Sequence, residues 1–278
     1  MTTFRIVGPG RAGLSLMAAL DTVAGFESLG ALGRHDCLTD AAMGVDLLVI
    51  ATPDDSVPRV ADRIAPVAST AVLHMSGSLG LDALGDHPRR GSLHPLVPLP
   101  TPTIGAQRLT SGITFAVAGD AVAWRLADAL GGRPVLVEDD NRTVYHAAAA
   151  IAANHLVALI GQVERIAATI DLPLEAFAGL IHAATDDALA LGPRRALTGP
   201  AARGDWDTVE RHRSALAGMA GHRNELAAYD AMVGLARRLS LDPAAAGGGS
   251  GGSDAAADTE PAQPGTTVVE PAAVEQVA

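Results

Sequence analysis

The stretch Phe4-Arg5-Ile6-Val7-Gly8-Pro9-Gly10-Arg11-Ala12-Gly13 decides the fold of this chain, together with the helix-patterned residues 14–20 that follow it. A short apolar run enters a glycine-rich turn, and the apolar positions after the turn have the three- and four-residue spacing of a helix. A strand that passes into a helix through a Gly-x-Gly-x-x-Gly turn is typical of the opening of a β-α-β unit.

The first 140 residues repeat this alternation of strand and helix. Residues 46–51 are nearly all apolar, which is typical of a strand covered on both faces. Strand–helix alternation predicts an α/β domain with a parallel sheet, a Rossmann domain. The predicted strands are residues 4–7, 29–32, 46–51, 71–75, 113–117 and 134–137.

After residue 140 the strand patterns stop. Helices are predicted over residues 141–170, over 173–191, from the N-cap Asp205 to about 219, and over about 223–239. From residue 244 the chain is acidic, aperiodic and rich in Gly, Ser, Ala and Pro, so we expect a disordered tail. The predicted domains are therefore 1–139 (cofactor-binding Rossmann domain), 140–243 (all-α domain) and 244–278 (tail).

Composition narrows the class of protein. The net charge of −11 argues against a nucleic-acid surface, which needs a basic patch. The single cysteine, Cys37, excludes an intrachain disulfide framework, and the histidines lack the spacing of metal motifs, so we expect no metal site. We see no secretory signal and no apolar run of ~18–20 residues, and therefore expect a cytoplasmic protein without a membrane segment.

The glycine-rich turn predicts a bound dinucleotide. Gly8 would make the tight turn, Gly10 would let the backbone approach a pyrophosphate, and Gly13 would let helix and strand pack closely. The phosphates would lie at the helix N-terminus, where free N–H groups and the helix dipole favour an anion. The alternative is a glycine turn without a ligand. The cofactor-binding prediction covers Gly8, Pro9, Gly10, Arg11, Ala12 and Gly13.

The end of the second predicted strand indicates which dinucleotide binds. NAD-binding domains usually place an acidic residue there, whereas this chain places Arg34, which suits a 2′-phosphate. Asp36 lies two residues further on and is expected to point away. NADP is therefore favoured and NAD remains an alternative, as does a solvated loop role for Arg34.

The loop after the strand 46–51 lies where such sheets bind ligands. We expect the backbone of Thr52 and Pro53 to contact the cofactor. Asp54 or Asp55 is expected to cap the following helix.

Further motifs resemble those of a family of bacterial Rossmann-like proteins whose helical C-terminal domain is designated only as of unknown function. The resemblance covers about residues 4–240 and extends to pyrroline-5-carboxylate reductase, ketopantoate reductase, the deazaflavin-dependent NADP reductases and the β-hydroxyacid dehydrogenases. It implies a C-terminal domain of the 6-phosphogluconate-dehydrogenase type, an active site in the cleft and often a homodimer formed through the helices. Members of the family are often encoded near pantothenate-synthesis enzymes, which suggests ketopantoate as a substrate. The motifs are residues 51–56, 74–80 and 91–95, Tyr145-His146 with Asn154, and residues 196–200 followed by Arg203-Gly204-Asp205.

The chain departs from the lysine-using relatives. β-Hydroxyacid dehydrogenases and ketopantoate reductases use a lysine at the start of the helical domain, but all 20 basic residues here are arginine. The matching stretch is residues 139–146 and includes Arg142, Tyr145 and His146. Either a histidine or a tyrosine takes the role of that lysine, or the chemistry differs.

Three polar residues are expected at the carboxyl edge of the sheet. His74 and Ser76 follow one strand, and His94 follows a short run ending at Leu93. A histidine placed there suits a general acid, and Ser76 suits substrate binding. The alternative is that these side chains only hold the loops.

Two further groups are candidates in the helical domain. His146 and Asn154 are eight residues apart on one helix, about 80° apart around its axis, and are predicted to be catalytic. Arg203 offers a planar fork suited to a substrate carboxylate, with Thr198 and Gly199 beside it, although a cap at Asp205 alone would explain this loop.

The sequence therefore predicts an NADP-dependent oxidoreductase that acts on a small carboxylate-bearing carbonyl or imine. His146, or alternatively His74 or His94, would transfer the proton. The alternatives are a non-catalytic dinucleotide-binding sensor or scaffold, and a reductase that couples NADP to a deazaflavin.

Overall fold

The computed structural model describes residues 1–219 and 223–241, and it divides into two compact units. The first unit is Met1–Leu174 and the second begins at Glu175. The predicted tail, residues 244–278, lies outside the described residues.

The first unit contains a seven-stranded sheet in the order β2-β1-β3-β4-β5-β6-β7. Neighbouring strands are parallel except β5 and β6, which are antiparallel. The chain moves from β1 outward to β2 and then returns to the other side of β1 as β3, so a topological switch point lies between β1 and β3. The strands are β1 (Thr2–Val7), β2 (Phe26–Leu32), β3 (Leu47–Ile50), β4 (Ala71–His74), β5 (Arg89–Pro95), β6 (Thr114–Gly119) and β7 (Arg133–Leu136).

The core lies on both faces of this sheet. In β3, Leu47 and Val49 belong to the apolar cluster on one face, and Leu48 and Ile50 belong to the cluster on the other. All four side chains are fully buried, which confirms the prediction of a strand covered on both faces.

Six helices belong to the first unit, and the last two form one continuous helical stretch. The sequence predicts a single helix over residues 141–170, but a π-helical turn, Ile151–His155, separates α5 from α6. The six are α1 (Arg11–Leu20), α2 (Val57–Ala61), α3 (Pro102–Leu109), α4 (Val122–Ala129), α5 (Arg142–Ala150) and α6 (Leu156–Ala168).

The second unit is helical where the structure describes it. Its helices are α7 (Ala178–Leu191), the short α8 (Pro193–Ala196) and α9 (Pro200–Arg203), α10 (Trp206–Ala217) and α11 (Arg223–Leu241). The Asp205 side chain accepts a hydrogen bond from the Thr208 amide at 3.1 Å, so its predicted N-cap role is confirmed.

The structure confirms the predicted α/β domain with a parallel sheet, apart from the β5–β6 pair, and it adds the strand β5, which the sequence pattern does not predict. The run Arg89–Pro95 contains two arginines, a glycine and a proline, and it has no alternation that would indicate a strand. It is a strand because it pairs with β4 on one side and β6 on the other. β6 and β7 therefore run opposite to the first five strands.

The segment Asp139–Ala168 is long and apolar enough to cross a membrane, with a mean hydropathy of 1.4. The sequence did not predict such a segment. Length and composition alone are weak evidence for a membrane span, because core helices of soluble proteins and signal sequences pass the same test. Arg142, the first residue of α5 within this segment, is hydrogen-bonded to the sheet through Ser92.

Candidate functional site

The turn between β1 and α1 has the geometry that a dinucleotide requires. Gly10 is the N-cap of α1, and a Cβ placed on it would meet no atom within 4 Å. Within the described residues no side chain caps this helix, and its first turn holds no acidic residue. The N-terminus of α1 therefore presents open space and backbone N–H groups where an anion would bind.

The other two glycines of the turn, Gly8 and Gly13, lie where no side chain would fit. Gly8 has a φ of +99°, and a Cβ there would lie 2.9 Å from the Ala51 carbonyl. At Gly13 a Cβ would lie 2.4 Å from the Gly8 carbonyl oxygen. Each glycine therefore has the geometry predicted for it: Gly8 makes the tight turn, Gly10 leaves space for a ligand, and Gly13 lets helix and strand pack closely. These residues fit a bound dinucleotide.

Arg34 lies exposed just after β2. The expectation that Asp36 points away is wrong, because its carboxylate turns back and accepts a hydrogen bond from the Gly33 amide at 2.6 Å. A basic and an acidic side chain therefore both lie at the end of β2.

The loop after β3 brings Thr52 and Pro53 beside the glycine turn. The Cγ2 atom of Thr52 lies 2.9 Å from the Cβ position of Gly8, and its hydroxyl is buried without a hydrogen-bond partner among the described residues. This places Thr52 next to the expected pyrophosphate site.

The cap predicted for Asp54 or Asp55 is wrong. The N-cap of α2 is Ser56, and no side chain caps it. Asp54 instead accepts hydrogen bonds from the hydroxyls of Ser76 and Ser78, both at 2.7 Å. Asp55 accepts one from the Ser56 hydroxyl at 3.1 Å. The loop after β3 is thereby joined to the loop after β4.

Ser76 anchors the loop after β4. Besides donating to Asp54, its Oγ accepts hydrogen bonds from the amides of Ser78 and Leu79, both at 3.1 Å. Its carbonyl oxygen accepts a bond from Arg142 at 3.4 Å. Ser76 is nearly buried, and its hydroxyl is fully used in holding the loop.

His74 ends β4 and is 0% exposed. Its ring nitrogens make no hydrogen bond of ordinary geometry with the described residues. Burial lowers the pKa of His74 to about 4, and the charge of Arg142 adds to this effect. The Gly80 backbone and the Asp54 carboxylate act weakly in the opposite direction. The His74 ring is therefore neutral at neutral pH.

His94, Tyr145 and His146 form a cluster of rings beside Gly77. The Nδ1 atom of His94 lies 2.7 Å from the Tyr145 hydroxyl. The His146 ring meets the His94 ring edge to face, with centroids 6.0 Å apart. A Cβ on Gly77 would lie 2.8 Å from His146 Cδ2 and 2.9 Å from His94 Nε2, so both rings pack directly on this glycine.

The surroundings of His94 and Tyr145 favour the uncharged forms of both side chains. Burial lowers the pKa of His94 to about 4, with contributions from His146 and Arg142. Burial raises the pKa of Tyr145, which the charge of Arg142 partly opposes.

Arg142 is a site residue that the sequence motifs did not predict. Its side chain is 0% exposed and donates to the Ser92 hydroxyl and the Ser76 carbonyl. Its Nε lies 3.4 Å from an Asp139 carboxylate oxygen. Burial lowers the pKa of Arg142. The sequence could have indicated this role, because Arg142 lies in the stretch 139–146 that matches the lysine-bearing segment of the relatives.

The structure thus brings His74, Ser76, His94 and His146 together at one edge of the sheet. Asn154 lies in the π-turn and is exposed, without a hydrogen bond to any described residue. The π-turn changes the rotation per residue, so the 80° relation to His146 does not apply.

The predicted substrate-binding residues Thr198, Gly199 and Arg203 belong to the second unit, which is described separately. Gly199 has a φ of +96° and begins the short helix α9, in which Arg203 is exposed. No group of three metal-ligating side chains occurs among residues 1–219 and 223–241.

One protein-family model matches part of this chain. Residues 111–235 match the model of a domain of unknown function, DUF2520. No curated protein matches the chain.

Solved structures match almost the whole of the described chain. A Thermotoga maritima protein is similar over 85% of this chain and 98% of its own, with 22% identity and a TM-score of 0.67. A Bacteroides fragilis protein provisionally named an NADP oxidoreductase covers the same shares, with 18% identity and a TM-score of 0.69. The pyrroline carboxylate reductase of Plasmodium falciparum, with NADP bound, covers 86% of this chain and 98% of its own, with 12% identity and a TM-score of 0.56.

At sequence identities of 12–22%, the similarity to these structures establishes the fold of the chain alone. It confirms the resemblance given by the sequence motifs: this chain has a Rossmann-type fold with a helical C-terminal part, like these proteins, and its residues 111–235 match the DUF2520 model.

Proposed function

We propose that this protein is an NADP-dependent oxidoreductase that acts on a small carbonyl or imine compound bearing a carboxylate. One observation carries the proposal: the glycine turn after β1 lies at the same edge of the sheet as a cluster of polar residues at the ends of β4 and β5. This polar cluster is His74, Ser76, His94, Arg142, Tyr145 and His146. Adjacent strands lie about 4.8 Å apart, so β4 and β5 end roughly 10–15 Å from β1 along that edge. One extended ligand can therefore reach both places.

The cofactor would be held by residues of the first unit. The N-terminus of α1 and the open face of Gly10 would bind the pyrophosphate, with Thr52 beside it. Arg34 would pair with a 2′-phosphate, which favours NADP over NAD. Bound NADPH supplies the hydride of the reduction. The NADP preference depends on Arg34 outweighing Asp36, which lies at the same strand end.

The polar cluster supplies the remaining requirements of a reduction. The buried guanidinium of Arg142 is a fixed positive charge close to His74 and His94, and it would act on the site through its electric field, without contact to the substrate, by favouring negative charge that develops nearby. The neutral imidazoles of His74 and His94 do not repel that arginine. Ser76 and Asp54 hold the loop that carries Gly77 against the rings.

This cluster favours an enzyme over a sensor or scaffold. Groups with strongly shifted pKa values, gathered next to a cofactor site, are typical of active sites. It also favours a small polar substrate over a deazaflavin, which would need an apolar shelf.

Three parts of the proposal rest on the sequence alone. The carboxylate would bind Arg203 with Thr198 and Gly199. Ketopantoate is one candidate among the 2-oxo acids. Asn154 would assist the proton transfer from the exposed side of the π-turn.

We also propose a homodimer formed through the helical region. Leu180 and Leu189 on α7 are 69% and 83% exposed, and Val157 on α6 is 68% exposed. A second copy of the chain would cover these side chains and remove apolar area from water. Light scattering without detergent distinguishes a dimer from the 28.2 kDa monomer, and a monomer would reject this proposal.

The reductase proposal is tested by following NADPH oxidation with a panel of 2-oxo acids and cyclic imines that includes ketopantoate. Turnover of one compound by the wild-type chain supports the proposal. NADPH binding without turnover across the panel would favour a sensor or a deazaflavin partner instead.

A further inference from the structure

The two tyrosines of the chain make the same contact with a histidine. The hydroxyl of Tyr145 lies 2.7 Å from Nδ1 of His94, and the hydroxyl of Tyr229 lies 2.8 Å from Nδ1 of His212. The rings meet edge to face in both pairs, with centroids 5.6 and 5.9 Å apart. The contact geometry is therefore matched, and only the surroundings differ.

The surroundings separate the two pairs. Tyr145 and His94 connect α5 to β5 at the carboxyl edge of the sheet, where both side chains are half-buried. Tyr229 and His212 connect α11 to α10 in the second unit, where His212 is exposed. The second pair is thus a natural control for the first.

Three histidines compete with Tyr145 for the role of proton donor. His74 is fully buried, so its ring does not reach solvent or a ligand. His94 directs Nδ1 to Tyr145 and packs its other edge on Gly77. His146 is half-buried and lies beside the same glycine, so it is the strongest competitor.

We propose that the Tyr145 hydroxyl is the proton donor of this site, with His94 as the residue that positions it. The assignment rests on the reductase function proposed above. Tyrosine is an acid that keeps its proton at neutral pH, as a donor to a substrate oxygen or nitrogen must.

The proton balance follows from the Tyr145–His94 contact. When the substrate carbon accepts the hydride, its C=O or C=N π bond breaks and the electron pair moves to the heteroatom. The Tyr145 O–H bond breaks, and its proton forms the new O–H or N–H bond. Nδ1–H of His94 holds the Tyr145 phenolate by its hydrogen bond until the phenolate takes one proton from solvent, so one solvent proton is consumed per turnover and both residues return to their starting state.

Several charged or titratable groups surround the pair. Arg142 and His146 lie on α5 with Tyr145, His74 lies on β4, and Asp54 lies on the loop after β3. The arginine favours the phenolate that remains after proton transfer. Asp54 is held by the hydroxyls of Ser76 and Ser78, which both donate to its Oδ2.

The direction of the hydrogen bond gives a test without turnover. In a Tyr229→Phe background, Tyr145 is the single tyrosine, and phenolate absorbance reports its ionisation alone. If His94 donates to Tyr145, it stabilises the phenolate, so His94→Phe should raise the Tyr145 pKa and His94→Asn should restore it. A lowered pKa in His94→Phe would show that Tyr145 donates to His94, and would overturn the proposal.

Activity provides the second test. Tyr145→Phe should lower kcat by roughly 10²–10³-fold with NADPH affinity retained, and the matched Tyr229→Phe should stay within about threefold of wild type. A loss below about tenfold in Tyr145→Phe, beside an active wild type, would overturn the donor assignment alone. A wild type that binds NADPH but turns over nothing would overturn the proposed function, and the donor assignment with it.

Discussion

Replacing Gly77 by alanine tests whether the ring cluster is the reactive part of the site. Gly77 does not need a positive φ, so alanine is compatible with its backbone. The added Cβ would lie 2.8 Å from His146 Cδ2 and 2.9 Å from His94 Cε1 and Nε2. Since ordinary contacts begin at about 3.4 Å, the rings must move by 3.4 − 2.8, about 0.6 Å.

A displacement of this size has two expected effects. Misplacement of reacting groups by about 1 Å can cost about 100-fold in rate, so we expect a 10- to 100-fold loss of kcat. Overpacking a filled site costs about 1–3 kcal/mol of stability. The glycine turn is not touched, so the NADPH dissociation constant should stay within about twofold.

The assay combines steady-state NADPH oxidation, NADPH fluorescence titration and urea unfolding. Gly179→Ala is the matched control, because a Cβ there would meet nothing within 4 Å. It should keep full activity. Wild-type turnover in both variants would refute the assignment of catalysis to the rings around Gly77.

Three further predictions concern the cofactor and the histidines. Gly10→Ala should weaken NADPH binding at least tenfold with little change in urea stability, since its Cβ meets open space, whereas Gly13→Ala should mainly destabilise the fold, since its Cβ lies 2.4 Å from a carbonyl oxygen. Arg34→Ala should weaken NADPH binding by about 10- to 100-fold and NADH binding little, and equal losses in two parallel fluorescence titrations would contradict the 2′-phosphate role. The pKa values of His74 and His94 are lowered to about 4, so the unfolded chain binds more protons between about pH 6.5 and 4. Stability should therefore be highest above pH 6.5 and fall towards pH 4, by at most roughly 3 kcal/mol per histidine. Urea midpoints at pH 7 and 5 measure this fall, and a His94→Gln variant with an undiminished fall would contradict it.

Sequence reasoning found the parts of the fold that depend on local pattern. The glycine turn, the two-faced strand β3 and the Asp205 cap each follow from residues close together in the chain. β5 was missed because its sequence is polar, and only pairing with strands on both sides makes it a strand.

Part of the candidate site was also predictable, because it depends on where neighbouring strands end. Parallel strands end at one edge, so His74, Ser76 and His94 were expected near each other, and the structure places them there. The role of Asp54 was missed because its partners lie more than 20 residues away, and an aspartate before a helix usually caps it. Arg142 was missed because an arginine at the start of a helix is normally exposed, and only the fold brings Ser92 to it.

The central claim is that the turn after β1 binds NADP in preference to NAD. The most direct test is a fluorescence titration of the wild-type chain with NADPH and with NADH under one set of conditions. We expect saturable binding of both dinucleotides, with NADPH bound at least tenfold more tightly. Equal affinities would contradict the role given to Arg34, and no binding of either dinucleotide would contradict the account as a whole.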